Sequence, residues 1–312
     1  WLFDPYNVTI AASDAGGSWS GGNQWTPSGG GSTISAGTIE SKLNSGTSVT
    51  VTTGSSGSDN GDITVNASIT KSSGATDVTL TLQAANTIAV DADIKKTGGS
   101  GKLNVTLDAD NDNGVGNGVG IILLNADVTT GGGNLSFGTG RKATVNGVST
   151  LVGGDVYAGG TGARMLSTGG GAVDVKGEMI VANPSGLTID SAGGDIHFYG
   201  LLDSGNAYTS VYVPSSFTWE NAFSAAKSGD GGSNGDTYLA TITSRLENAV
   251  AGRTVNYAES WLGGQRVVGI AVADVPPEHR PLAEPVIGQR PGHDHDLVAR
   301  GRGSVELARG EG

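Results

Sequence analysis

The chain has 312 residues, 54 of them glycine and none cysteine, and a formal net charge of −12. That length suits one or two domains, and the missing cysteines exclude disulfide staples, thiolate zinc sites and cysteine nucleophiles. Charged residues make up 15% and hydrophobic ones 36%, which excludes a highly charged disordered chain, and the acidic balance argues against nucleic acid as a partner.

The chain opens on Trp1-Leu2-Phe3-Asp4-Pro5-Tyr6, with neither Met nor a basic-then-apolar leader, so it is expected to be an internal piece of a longer protein. No apolar run is long enough for a membrane-spanning helix. From about residue 30 to 200, short apolar runs alternate with clusters of Gly, Asn, Asp and Ser. Asp62-Ile63-Thr64-Val65-Asn66-Ala67, Val78-Thr79-Leu80-Thr81-Leu82, Thr87-Ile88-Ala89-Val90-Asp91-Ala92 and Leu103-Asn104-Val105-Thr106-Leu107 alternate with period two. They predict strands, and the small polar clusters between them predict turns. Nothing in this body has a helical period, so no helix is expected there.

Three segments repeat one pattern: Ile63 to Ile69, Ile88 to Ile94 and Ile122 to Val128, which start 25 and 34 residues apart. Self-similarity at such periods marks stacked units that bury their faces against one another. A β-sandwich is the competing architecture. The imperfect repeats, abundant Gly and aromatic content of only 5% favour a solenoid with glycine at tight corners. Asn66, Asp91 and Asn125 recur before Ala, and corner positions suit them better than an inward-facing ladder.

Asp108, Asp110 and Asp112, followed by Gly114, resemble the start of a calcium loop and are the candidate metal ligands. An EF-hand would need Gly and Glu where Asn113 and Val119 stand. The site would therefore bind Ca²⁺ weakly, and a solvated corner is the plainer reading. Ca²⁺ is the one cofactor the residues suggest. Asn183-Pro184-Ser185-Gly186-Leu187 predicts a turn. His197 stands alone in strand-like Asp195-Ile196-His197-Phe198-Tyr199, and no Ser-His-Asp constellation can be named. No catalytic residue is assigned, and the chain is not expected to be an enzyme.

Near residue 205 the texture changes. Trp219, Ala222, Phe223 and Ala226 fall on one helical stripe, and Tyr238–Thr243 alternates as a strand. Ser244 and Glu247 make a capping box for a helix that turns Leu246, Ala249 and Val250 to a core. Ser260-Trp261-Leu262-Gly263-Gly264 predicts a further strand. After Val267 come five of the nine prolines, three of the four histidines and no lysine. That tail is either a disordered linker or a stretch translated in the wrong frame. His293-Asp294-His295-Asp296 within it could hold a metal only weakly.

Two resemblances rest on these residues. Trp1 to Ile10, Gly61-Asp62-Ile63-Thr64-Val65-Asn66-Ala67, Leu80-Thr81-Leu82-Gln83-Ala84-Ala85-Asn86 and Leu107-Asp108-Ala109-Asp110-Asn111-Asp112 resemble segments of filamentous haemagglutinin-type exoproteins of two-partner secretion. The resemblance spans roughly residues 1–205. It implies a right-handed parallel β-helix, secretion or surface display by a Gram-negative bacterium, an outer-membrane export partner, and a role in adhesion and virulence. The family's Asn-Pro-Asn-Gly-Ile export motif has only the altered counterpart at Asn183, so the export domain is expected upstream.

Thr218-Trp219-Glu220-Asn221-Ala222, Tyr238-Leu239-Ala240-Thr241-Ile242, Glu247-Asn248-Ala249 and Trp261-Leu262-Gly263-Gly264 resemble a C-type lectin-like domain. That implies a small α+β fold with Trp219, Leu239, Ile242 and Trp261 in its core. The family's calcium-and-sugar triplets have poor counterparts in Glu284-Pro285-Val286 and Gln289-Arg290-Pro291, and the chain has no Trp-Asn-Asp. The domain therefore reads as incomplete, and no carbohydrate-binding residue can be named.

The expectation is a mainly β chain in three parts: a β-helical repeat region at 1–205, a partial lectin-like domain at 206–266 and a Pro/Arg/His-rich tail at 267–312. It would act as an adhesin whose stalk presents a recognition domain to glycans or surface proteins of a host or the environment. A β-helix polysaccharide-degrading enzyme and a purely structural spacer are the alternatives.

Overall fold

The computed structural model describes residues 5–55, 57–111, 120–145, 148–203, 246, 249–250, 260–262, 265–267, 297–300 and 304–307. The chain divides into two compact units, one of residues 1–205 with 290–312 and one of 206–289. It is mainly β with parallel sheets, an arrangement compatible with a solenoid.

Three large sheets build the first unit, beside one two-stranded hairpin. The first runs Ser32–Ser35, Val8–Ala11, Ile63–Val65, Ile88–Val90, Ile122–Leu124, Val156–Ala158, Met179–Val181 and Leu202–Asp203, all parallel. The second begins with the antiparallel pair Gly17–Ser20 and Gln24–Pro27. It continues in parallel through Val49–Thr52, Val78–Gln83, Leu103–Asp108, Leu135–Phe137, Val173–Val175 and Ile196–Phe198. The third stacks Ile69–Lys71, Ile94–Lys96, Val128–Thr129, Arg164–Ser167 and Leu187–Asp190 in parallel, and Ser304–Leu307 and Leu297–Arg300 extend it antiparallel. From Ile63 the chain visits the first, third and second sheets in turn, and each circuit lies on the one before it.

The alternation in the sequence decides which side chains point inward. Val78–Gln83 alternates buried and half-buried, with Val78, Leu80 and Leu82 inside. Stacking carries this through the unit: Val51, Leu82, Leu107, Phe137 and Val175 form one buried column of the second sheet. A single circuit could not shield such side chains, whose burial is worth about 1.5–3 kcal/mol each. Neighbouring circuits do so for one another.

The repeated Ile-to-Ile segments are not single strands. Each is a corner, with three residues on the first sheet, a bend, and a strand of the third sheet beyond it. Asn66 and Asp91 are exposed at this bend, and Asn125 Nδ2 donates to Asp91 Oδ1 at 2.8 Å. The Asn/Asp positions are therefore outward corners. Asn183 likewise opens a turn, its Oδ1 accepting the Ser185 N–H at 2.8 Å.

Ile63, Ile88, Ile122, Val156, Met179 and Leu202 stack successively, at spacings of 25, 34, 34, 23 and 23 residues. The two long circuits carry their extra length where the second sheet passes to the first. One holds residues 109–121 there, and the next holds the antiparallel hairpin of Lys142–Val145 and Val148–Leu151.

Contrary to expectation, a helix occurs in this body, at Ala36–Asn44, with Ala36, Ile39 and Leu43 buried. Gly37 and Thr38 are weak helix formers, so outside contacts hold it. Asp14 accepts the Ser35 N–H and the Thr38 hydroxyl, each at 2.7 Å, putting a carboxylate at the helix's positive end. The helix in turn covers the start of the third sheet. Glu40 Oε1 accepts the Thr70 N–H at 2.7 Å, and Asn44 Oδ1 accepts those of Ser72 and Ser73 at 2.9 Å. Edge N–H groups that would invite another strand are thereby occupied.

Corners are sealed by side chains just before a strand or, at Asn104, near its start. Asn7 Oδ1 accepts the Asp62 N–H at 2.8 Å, and Asp62 Oδ1 accepts the Thr87 N–H at 3.0 Å. Asp77 serves Lys102, Asp127 serves Met165, Asn104 serves Asn134, Asn134 serves Ala172 and Asp155 serves Glu178, at 2.7 to 2.9 Å. In each pair the acceptor belongs to the earlier circuit and the N–H to the equivalent residue of the next.

Where the third sheet passes to the second, one short motif recurs. Thr130, Thr168 and Ser191 are fully buried, and their hydroxyls donate to the carbonyls of Gly133, Gly171 and Gly194, three residues on. The last glycine of each motif is required by close approach. A Cβ on Gly171 would lie 2.0 Å from the Gly133 carbonyl oxygen, which belongs to the preceding circuit.

Lys71 is buried with its circuit's inward row, its Nζ donating to the Ser73 carbonyl at 2.6 Å. Burial, with the Lys96 charge nearby, pushes this ammonium below the usual lysine range, against a smaller opposing pull from Asp77.

In the second unit, Leu246, Ala249 and Val250 are helical and buried, as the capping-box reading requires. Trp261 lies in the strand Ser260–Leu262, which pairs antiparallel with Gln265–Val267. Trp219, Leu239 and Ile242 lie outside the described residues, as does His293-Asp294-His295-Asp296.

Candidate functional site

The outer face of the second sheet is plain for most of its length. Thr50, Thr81, Thr106 and Ser136 stack on successive strands as one outward row. The row then changes chemistry, because Asp174 follows Ser136 and His197 follows Asp174. One position further along the same two circuits stand Lys176 and Tyr199, where the Tyr199 N–H donates to the Val175 carbonyl at 3.0 Å. Parallel register thus brings four polar and aromatic side chains, 23 residues apart in pairs, into one block.

Asp174 organises the block. Its Oδ1 accepts from Lys176 Nζ at 3.1 Å, His197 Nδ1 at 3.2 Å and the Tyr199 hydroxyl at 3.4 Å. Its Oδ2 bonds to none of the described residues. The His197 bond leaves the outer nitrogen, Nε2, as an acceptor when the ring is neutral. Lys176 Nζ also sits 3.8 Å from the centre of the Tyr199 ring, within cation–π range. Burial disfavours the Lys176 ammonium, but hydrogen bonds to Tyr199 and Asp174 and the Asp174 charge outweigh it and raise its pKa above the usual value. Asp174 and Lys176 are about four-fifths buried, whereas His197 is half exposed. Tyr199, at 52%, is one of only three exposed large hydrophobic side chains among the described residues.

This geometry does not suit the catalytic arrangements considered for the chain. Ser136, Asp174 and His197 lie on consecutive rungs, so the imidazole is two strand spacings, roughly 9.6 Å, from the hydroxyl. A hydrolytic triad needs the imidazole beside the hydroxyl and the carboxylate behind it. Glycosidic cleavage of the usual kind needs two carboxylates across one sugar bond, and the block contains one. Among the described residues no three His, Asp or Glu side chains gather as a metal site.

Two of the three calcium candidates, Asp108 and Asp110, lie among the described residues. The Asp108 carboxylate is 1% exposed, and Arg141 Nη2 donates to its Oδ1 at 3.2 Å. The same guanidinium donates to the carbonyls of Ala109 at 3.1 Å and Asp110 at 2.9 Å. Asp110 is buried in a left-handed conformation, φ 50°, with its N–H donating to the Asn86 carbonyl at 2.8 Å. Asp108 and Arg141 therefore staple the start of the 142–151 hairpin to the circuit beneath. Asp112 lies outside the described residues.

His197 is thus not alone, as the sequence had suggested. The available signal was the 23-residue match of Val173-Asp174-Val175-Lys176 with Ile196-His197-Phe198-Tyr199. It shows only if the circuit length is known. Compared with known proteins, the chain matches no family model, no curated protein and no solved structure.

Proposed function

We propose that the chain is part of a secreted or surface-displayed adhesin of a Gram-negative bacterium. In this reading residues 1–205 are a right-handed parallel β-helical stalk, and residues 206–266 are a C-type lectin-like domain that the stalk presents. One observation carries it: three parallel sheets keep register from circuit to circuit, with buried columns and corner bonds repeating. Such a body lengthens by one strand spacing, about 4.8 Å, with each circuit, which suits a spacer that holds a binding surface away from the cell. The handedness follows from the strong preference of parallel crossovers. Partners would be glycans or surface proteins, and the parent protein would need an outer-membrane export partner.

The test is binding of purified chain 1–312 to host cells and to a glycan array, with reducing-sugar release from pectin measured alongside. Saturable binding without sugar release is expected. Sugar release would favour a polysaccharide-degrading enzyme, and silence in every assay would reduce the chain to a spacer.

A further inference from the structure

We infer that Asp174, Lys176, His197 and Tyr199, on the outer face of the second sheet, form a binding site for an uncharged pyranose unit of a glycan. The inference rests on the adhesin reading and assigns to the stalk itself a contact that reading gives to the lectin-like domain.

The change along the row is the first ground. In the row of Asp174 and His197 the four preceding circuits present only Thr and Ser, which fit a solvated strand face, and Lys176 and Tyr199 stand two residues further on in the same two circuits. Holding long or aromatic side chains in one arrangement costs conformational entropy, so such a block asks for a reason beyond sheet stability. The free positions are the second ground. Asp174 is fixed by three donors through Oδ1, while Oδ2 takes no hydrogen bond from the described residues, and half-exposed His197 holds Nδ1 on Asp174 and leaves Nε2 uncommitted. A carboxylate oxygen and an imidazole nitrogen can both accept from neighbouring sugar hydroxyls, and a fixed carboxylate gives the stronger, charge-assisted bonds. The Tyr199 ring is the third ground. It is half exposed beside these groups, and an aromatic surface offers packing to the C–H face of a pyranose.

Charge selects the ligand class. The only fixed cation, Lys176, is already paired with Asp174, so the block has no surplus positive charge for a sialylated or sulfated sugar. A single contact of this size binds weakly, and many copies on a cell surface would raise the effective affinity.

The test uses the full chain on an array of neutral, sialylated and sulfated glycans, followed by competition with free glucose, galactose and mannose. Wild type should bind neutral glycans. Asp174→Asn and Tyr199→Ala should each weaken that binding about tenfold, the scale expected for losing a bond to a charged group. Thr81→Ala, on the same face two circuits before Ser136, should leave it unchanged, and circular dichroism should show all three variants folded. Tyr199→Ala removes a half-exposed side chain, so it keeps the test sound if Asp174→Asn misfolds. Neutral binding that neither variant weakens, or binding restricted to acidic glycans, overturns the inference. Cell binding without any glycan binding overturns it while sparing the adhesin reading. Loss of both kinds of binding removes the two together.

Discussion

Replacing Gly171 by Ala should be among the most damaging single-methyl changes in the first unit. The new Cβ would stand 2.0 Å from the Gly133 carbonyl oxygen, 2.4 Å from its carbon and 3.0 Å from the Asn134 nitrogen. All three are backbone atoms of the preceding circuit, so no rotamer change can make room. The Gly171 carbonyl also accepts the buried Thr168 hydroxyl, and the next circuit rests on it, since a Cβ on Gly194 would meet the same carbonyl at 2.1 Å. Overpacking of well-packed sites costs about 1–3 kcal/mol, and a backbone obstacle belongs at the upper end. Stiffening of the unfolded chain returns about 0.4–1 kcal/mol. The net loss is about 2–3 kcal/mol, or a melting temperature lower by about 5–10 °C for a unit of roughly 200 residues. Urea and thermal unfolding followed by circular dichroism would measure it. Gly29→Ala is the control, because its Cβ would meet nothing within 4 Å and its φ is not positive. That variant should match or slightly exceed wild type. If Gly171→Ala proves no less stable than Gly29→Ala, the close stacking of circuits at this corner is wrong.

Three further outcomes rest on single side chains of the first unit. Asp62→Ala removes the acceptor for Thr87 N–H and Asn86 Nδ2 and should cost about 2 kcal/mol, while Asp62→Asn, which keeps a side-chain oxygen, should recover most of it by urea midpoint. Arg141→Gln leaves the Asp108 carboxylate buried without its cation. With Arg141 a quarter exposed, the loss should be nearer 2 kcal/mol than the full cost of a broken buried pair, and limited proteolysis should cut first within residues 142–151. Lys71→Met tests a titration. The folded state holds this proton less tightly than the unfolded chain, whose lysine value is 10.5. Wild-type stability should therefore carry the full penalty at neutral pH and rise as pH climbs through the lowered value towards 10.5. The variant should lose that rise, which urea midpoints across the range would show. Lys176 does not interfere below 10.5, because its raised value keeps it protonated in both states.

The sequence made the strands legible because alternation is a local property. Val78 to Leu82 needs no partner to declare its buried side. Outward corners at Asn66 and Asp91 were legible for the same reason. The features that escaped were set by circuit length. Which sheet each side of the Asn66-Ala67 bend joins was not legible, because Ile63–Val65 and Ile69–Lys71 find their sheets only through the neighbouring circuits. The helix at Ala36–Asn44 was missed because its stability comes from Asp14 and from packing of Ile39 and Leu43, not from its own residues. Lys71 would be assigned outward on charge alone, yet its ammonium reaches local carbonyls and its alkyl stem continues the inner row. The polar block on the second sheet stayed hidden because Asp174 and His197 meet only through the 23-residue register.

The corner bonds have a direction. In the seven side-chain pairs from Asn7 and Asp62 to Asp155 and Glu178, each N–H belongs to the later circuit and each acceptor to the earlier one. A later circuit therefore meets side-chain acceptors already in place, and the earlier circuit gains backbone partners in return, the Val8 N–H donating to the Asp62 carbonyl and the Ile63 N–H to that of Thr87. Deleting circuits from the carboxyl end leaves those side-chain oxygens facing water, together with backbone N–H groups such as those of Ile63 and Val78, which donate to the Thr87 and Lys102 carbonyls of the next circuit. Deleting them from the amino end strands the N–H groups of Asp62, Lys102 or Glu178 at corners shaped for a side chain that is gone. The side-chain half of the corner bonding thus runs one way along the stack, while the backbone half runs both ways.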